Sequence, residues 1–105
     1  MRYLFLLNPT AGKRDCTAEL APAIRAAAQR AGIPPEKRKV VVTQYAGHAR
    51  ELAAEAAHTA QADGEPVRIW TAGGDGTFNE ALTGAQGCSL AAVGCLPFGS
   101  GNDFL

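Results

Sequence analysis

Short apolar runs alternate with longer alanine-rich stretches along the chain. Four of the runs are rich in β-branched or large residues and read as strands: Tyr3–Leu7, Val40–Thr43, Val67–Thr71 and Leu90–Leu96. They are continuously apolar, as expected when helices cover both faces of a sheet. The first intervening stretch, 17–31, places Leu20, Ile24, Ala27, Ala28 and Ala31 near one face of a helix. Gly32 suits its C-terminal cap, and Pro34-Pro35 prevents its resumption. Pro22 sits awkwardly inside it, so the helix is expected to start nearer Ala21. A second helix is expected from about His48 to Ala62, ending before Asp63-Gly64. A third, shorter one opens near Thr77 and ends by Gly84. Strand and helix in strict alternation predict a parallel α/β sheet with right-handed crossovers.

Length and composition narrow this. The 105 residues make one small domain with a modest core. With 47% hydrophobic and 19% charged residues, the chain is an ordinary globular one rather than a disordered one. Ten basic residues balance ten acidic ones, which argues against a dedicated nucleic-acid binder. Cys16, Cys88 and Cys95 are an odd number, widely spaced and without a CxxC pair. They form neither a disulfide framework nor a zinc site and read as reduced, cytosolic thiols. The apolar opening 3–7 is too short for a signal peptide and stops at Asn8-Pro9. No run approaches the ~20 apolar residues that span a bilayer. The expectation is a soluble, cytoplasmic chain whose membrane contact is at most transient and peripheral, at the inner face.

The glycines change the picture more than the charges do. Eight of the 12 fall from Gly73 to Gly101, at the carboxyl ends of expected strands, where open α/β sheets bind ligands. Three segments stand out: Asn8-Pro9-Thr10-Ala11-Gly12-Lys13-Arg14, Gly73-Gly74-Asp75-Gly76-Thr77 and Pro97-Phe98-Gly99-Ser100-Gly101-Asn102-Asp103. Each follows an expected strand, so a parallel sheet brings all three to one edge. Two standard fingerprints fail. Leu7 and Arg14 stand where a Walker-type loop needs Gly and Ser or Thr, and Asn79 stands where a dinucleotide loop needs its last Gly.

The physics of phosphate binding survives both failures. Glycines let backbone N–H groups approach phosphate oxygens, and a helix opening after Gly76 offers its positive end to an anion. Asp75 in such a loop is read in two ways: as a helix cap, or as the carboxylate that organises a Mg²⁺ ion between itself and phosphate. Lys13 and Arg14 either balance phosphate charge or decorate a solvated turn, and Asn8 before Pro9 can be a turn former. His48 and His58 share no face and read as surface histidines; Trp70 reads as core.

The string Gly73-Gly74-Asp75-Gly76-Thr77-Phe78-Asn79-Glu80 resembles the signature of the diacylglycerol kinase catalytic domain family, which includes bacterial lipid kinases, sphingosine kinases and ceramide kinases. The segments Asn8–Lys13 and Pro97–Phe104 are similar to that family's first and third motifs, in the same order. The GGDGT string alone also occurs in NAD kinases, so an NAD kinase-like or other small-molecule kinase stays open as an alternative. The resemblance implies a three-layer, Rossmann-like fold of the kind that opens these kinases. It implies ATP and Mg²⁺ as ligands and a lipid hydroxyl, in particular that of diacylglycerol, as acceptor.

The resemblance also implies roles for the matching residues. Asn8, Pro9, Thr10, Ala11, Gly12 and Lys13 would lie along the nucleotide, and Thr43 matches a position that contacts ATP. Gly73, Gly74, Asp75, Gly76, Thr77, Phe78, Asn79 and Glu80 would wrap the triphosphate, with Asp75 near Mg²⁺. Ser100 replaces a frequent threonine and keeps its hydroxyl, and Asp103 matches an acidic position or caps a helix. Members of the family are much longer and carry a second, mostly β domain with the acceptor site and the general base. Residues 1–105 therefore read as the nucleotide-binding part alone, a fragment expected to be inactive as a kinase and to self-associate through uncovered surface. A catalytically dead nucleotide-binding or interaction module is the remaining alternative.

Overall fold

The computed structural model describes residues 1–8, 17–72 and 75–95, with the side chains of 17–21 and of Asp75 outside the description. Four strands, β1 (Arg2–Leu7), β2 (Arg38–Val42), β3 (Val67–Ala72) and β4 (Ala91–Cys95), form one sheet in the order β2-β1-β3-β4. Every pairing is parallel. The helices α1 (Thr17–Arg30), α2 (His48–Asp63) and α3 (Asp75–Gly84) fill the three crossovers, and a single 3₁₀ turn at Pro35–Lys37 precedes β2.

This order decides where the helices go. The first crossover runs from β1 to one side, and the next two run to the other. Right-handed crossovers therefore put α1 on one face and α2 and α3 on the opposite one. Two separate cores bear this out. Leu4 and Leu6 of β1, with Val67 and Ile69 of β3, pack under the buried Ala49, Ala53, Ala57 and Ala60 of α2 and Ala81 of α3. The intervening residues of β1, Phe5 and Leu7, pack on the other face with Ile24 of α1 and Ala72 of β3, flanked by Val40, Tyr3 and Trp70. One strand thus supplies both cores by alternation.

Small residues let the layers approach closely. A Cβ on Gly84 would run into the carbonyl oxygen of Arg50, so α3 meets the backbone of α2 where glycine stands. The ring of partly buried Trp70 lies where a side chain on Gly94 of the neighbouring strand would be. Trp70 packs against the core, close to the sequence reading, but is only partly buried.

The element boundaries differ from expectation by one or two residues, except at the start of α1. Helix α1 reaches back to Thr17 and carries Pro22 within it, although Pro22 has no N–H to give the carbonyl of Ala18. Ala31 is exposed rather than on the buried face. It belongs to the turn after the helix, which Gly32 closes at φ +82° while Ile33 N–H donates to the carbonyl of Ala28. Helix α3 opens at Asp75, two residues before Thr77. Helix α2 runs one residue past the expected end at Ala62, to Asp63, and is capped by Gly64 at φ +70°. Leu96, expected to end β4, lies outside the described residues. Among the described residues no helix is long and apolar enough to cross a membrane.

Candidate functional site

The strand order reverses between β1 and β3, since the chain leaves β1 toward β2 and returns on its other side to form β3. In open parallel sheets the crevice at the carboxyl ends of such a pair is the ligand site. Two of the three sequence segments open there, at Asn8 directly after β1 and at 73–74 directly after β3. Of the expected site residues, Pro9, Thr10, Ala11, Gly12, Lys13, Gly73, Gly74 and Ser100 lie outside the described residues, as do Arg14 and Asp103.

The described residues at this edge are tied together across long sequence separations. Asn8 donates its backbone N–H to the carbonyl of Ala72 at 2.9 Å, extending the β1–β3 ladder by one step. Its Nδ2 donates to Thr77 Oγ1 at 3.1 Å, so the first turn of α3 is fixed to the end of β1. Thr77 is buried. Thr43, directly after β2 and also buried, donates its N–H to the carbonyl of Leu7 at 2.8 Å. Its hydroxyl donates to the same oxygen at 3.3 Å. A direct contact from Thr43 to a ligand would use the hydroxyl as acceptor.

The described side chains of the motif, from Thr77 to Glu80, point in several directions. Asp75 is the first residue of α3. Thr77 faces Asn8 on the inside. Asn79 is exposed on the far side of the helix, where it lines an open groove with Leu82 and, from β4, Ala91 and Val93. Phe78 is half-buried and Gly76 exposed. Glu80 turns toward α2, where its Oε2 accepts the N–H of Gly47 at 3.2 Å. That bond has a clear cause. Gly47 is the N-cap of α2 at φ +89° and has no side chain with which to cap. The carboxylate of Glu80 satisfies the half-buried amide instead and sits at the positive end of the α2 dipole.

The turn between β2 and α2 carries a feature that sequence reading missed. His48 is half-buried rather than a free surface residue. Its ring stacks on Tyr45 with centroids 4.4 Å apart and planes 18° apart, and its Nδ1 accepts the N–H of Gln44 at 3.0 Å. The signal was present in Thr43-Gln44-Tyr45-Ala46-Gly47-His48, a strand end and a glycine flanking an aromatic and a histidine. His58 is exposed, as expected.

Among the described residues no group of three or more His, Cys, Asp or Glu is placed to hold a metal. A magnesium ion bound mainly by phosphate and water needs only one or two carboxylates. The backbone places Asp75 as the first residue of α3, just beyond the carboxyl end of β3, so one carboxylate-bearing residue stands at this edge.

Fold and edge together define a parallel α/β domain with a strand-order switch point between β1 and β3. The model of the diacylglycerol kinase catalytic domain matches residues 2–105, and the chain belongs to that family. It is 34% identical to sphingoid long-chain bases kinase 1 of Arabidopsis thaliana, over 99% of this chain and 14% of that protein. It is 33% identical to a diacylglycerol kinase of Staphylococcus carnosus, over 98% of this chain and 31% of that protein. The chain thus spans less than a third of either relative.

Proposed function

We propose that residues 1–105 are the nucleotide-binding part of an ATP-dependent lipid kinase. The observation that carries this reading is the meeting of Asn8, Thr77 and the start of α3 at the switch point, within a chain of the diacylglycerol kinase catalytic domain family. The triphosphate of ATP lies against the 73–77 loop and the first turn of α3, whose free amides and dipole favour an anion. Asn8 keeps the Thr77 hydroxyl and the first turn of α3 fixed to β1, so this turn is held in place before the nucleotide arrives. Asp75 would hold a magnesium ion, which would supply charge neutralisation at the transferring group. In the intact protein the lipid hydroxyl forms a bond to the γ-phosphorus, the bond from that phosphorus to the β-bridging oxygen breaks, and ADP leaves. Diacylglycerol is the proposed acceptor, and its site and the base that takes the hydroxyl proton belong to sequence beyond these residues. The 105-residue chain alone then binds ATP without transferring phosphate.

Titration of this chain with ATP and Mg²⁺ by calorimetry tests the first half. Saturable binding that Asp75→Ala reduces at least tenfold, with the fold unchanged by circular dichroism, is the expected result. The second half is tested in the intact protein, with diacylglycerol, a sphingoid base and NAD compared as acceptors. Phosphorylation of NAD in preference to either lipid overturns it, as does near-normal turnover by Asp75→Ala.

A further inference from the structure

Tyr45 is 55% exposed, a large aromatic in the turn directly after Thr43 at the carboxyl edge. It is not loose. One ring face lies on His48, and its hydroxyl donates to Glu51 Oε1 at 2.6 Å. His48 in turn donates its N–H to the carbonyl of Tyr45 at 3.1 Å and accepts from Gln44 through Nδ1. Neither ring joins the two cores, so the arrangement is not explained by packing. A flat aromatic surface that is already ordered costs a stacking ligand little conformational entropy.

We propose that the Tyr45–His48 pair is the platform on which the heteroaromatic base of the nucleotide stacks, and that Glu80 is the positioning residue that keeps this platform in register with α3. The inference rests on the reading of this edge as a nucleotide site and adds to it the base end and a task for Glu80. Three observations favour a base. The end of β2 stands two strand spacings, about 10 Å, from the end of β3, so a triphosphate on α3 can send its base toward Tyr45. The neighbours Gln44, Glu51 and His48 are polar, which suits the edge of a planar ring carrying nitrogens and disfavours an acyl chain. The Glu80 carboxylate joins Gly47, two residues from Tyr45, to the helix that begins with Asp75, linking platform and phosphate cradle.

The test compares ATP with inorganic tripolyphosphate, both with Mg²⁺, on the 105-residue chain. Tyr45→Ala weakens ATP about tenfold, the loss of one aromatic stack, and leaves tripolyphosphate unchanged. Tyr45→Phe retains most of the ATP affinity. Glu80→Ala weakens ATP more than tripolyphosphate, and Glu80→Gln, which keeps the acceptor oxygen, restores much of the difference. In NMR spectra the Tyr45 and His48 ring signals move with ATP and stay with tripolyphosphate. ATP affinity unaltered by Tyr45→Ala, or equal losses for both ligands, overturns the platform alone. Equal losses for both ligands in Glu80→Ala place Glu80 on the phosphate and overturn its positioning role. A wild-type chain that binds neither ligand overturns the nucleotide reading and the platform with it.

Discussion

At the amino end of the sheet Glu65 receives Lys37 Nζ at 2.7 Å, the chain's amino terminus at 3.0 Å and Arg2 Nε at 3.2 Å, while Arg2 also reaches Asp63 at 2.6 Å. At the carboxyl end the described polar contacts run instead through an amide side chain, threonine and tyrosine hydroxyls, a histidine ring, backbone N–H groups and two carboxylates, Glu51 and Glu80, each bonded to an uncharged donor. The same strands connect the two ends, and the polar groups are used differently at each. Full charges cluster where each has an opposite partner and solvent nearby, so they cancel locally and contribute little apiece. The carboxyl end holds largely neutral groups fixed by hydrogen bonds, and all three helices begin on that side. The Glu80 carboxylate already occupies the positive end of α2, which leaves the start of α3 for an anion. An anion has a reason to settle at one end and none at the other.

If the two ends are independent in this way, substitutions should separate binding from stability, and the largest effect should come from the layer that joins them. Gly84→Ala puts a Cβ against the Arg50 carbonyl and forces α2 and α3 apart. The expected cost is about 3 kcal/mol, or a melting temperature lower by 10 °C or more, read by thermal and urea unfolding. It should also weaken ATP, because the Glu80–Gly47 bond spans the same interface. A melting temperature within a degree or two of wild type would show that the helices slide freely and that the close approach is not a constraint. Thr77→Val is smaller in stability, about 1 kcal/mol for one hydrogen bond replaced at similar shape. Its effect on binding should be larger, with tripolyphosphate and ATP weakened together. Loss of stability without loss of binding would assign the Asn8–Thr77 pair to the fold alone.

What the sequence made legible follows the range of the interaction that decides it. Strand positions, the glycine C-caps at Gly32 and Gly64 and the placement of Asn8 and Asp75 at strand ends are local consequences of hydrophobic runs and turn residues. They were readable to within a residue or two. The α/β class followed from alternation, whereas the order β2-β1-β3-β4 did not, because alternation is silent on which side each crossover takes. Within the site, the hidden features were all tertiary. Asn8 and Thr77 are 69 residues apart, and Gly47 and Glu80 are 33 apart. Glu80 belongs to a string that reads as a phosphate loop, and only the packing of α3 against α2 shows that its carboxylate serves a helix end lacking its own cap. His48 shared no face with His58 and was read as a bystander; its partner was an aromatic three residues earlier in a turn, a spacing that carries no periodic signal.

The smallest effect tests the amino end by itself. Lys37 and the amino terminus hold the Glu65 carboxyl at about 2, below its ordinary value near 4.5. A carboxyl that is a stronger acid in the folded chain than in the unfolded one stabilises the fold while it is ionised. That contribution is complete above about pH 4.5 and fades as pH falls from there toward 2. Glu65→Gln should therefore flatten the acid limb of the stability curve in that window, with a modest loss at neutral pH that salt reduces further. ATP and tripolyphosphate binding at neutral pH should be unchanged, since no described contact of Glu65 reaches the carboxyl edge. An acid limb identical to wild type would mean that the ion pairs do not persist in solution. A change in ATP affinity would mean that the two ends of the sheet are coupled after all, and the separation between a charge-cancelled end and an anion-receiving end would have to be abandoned.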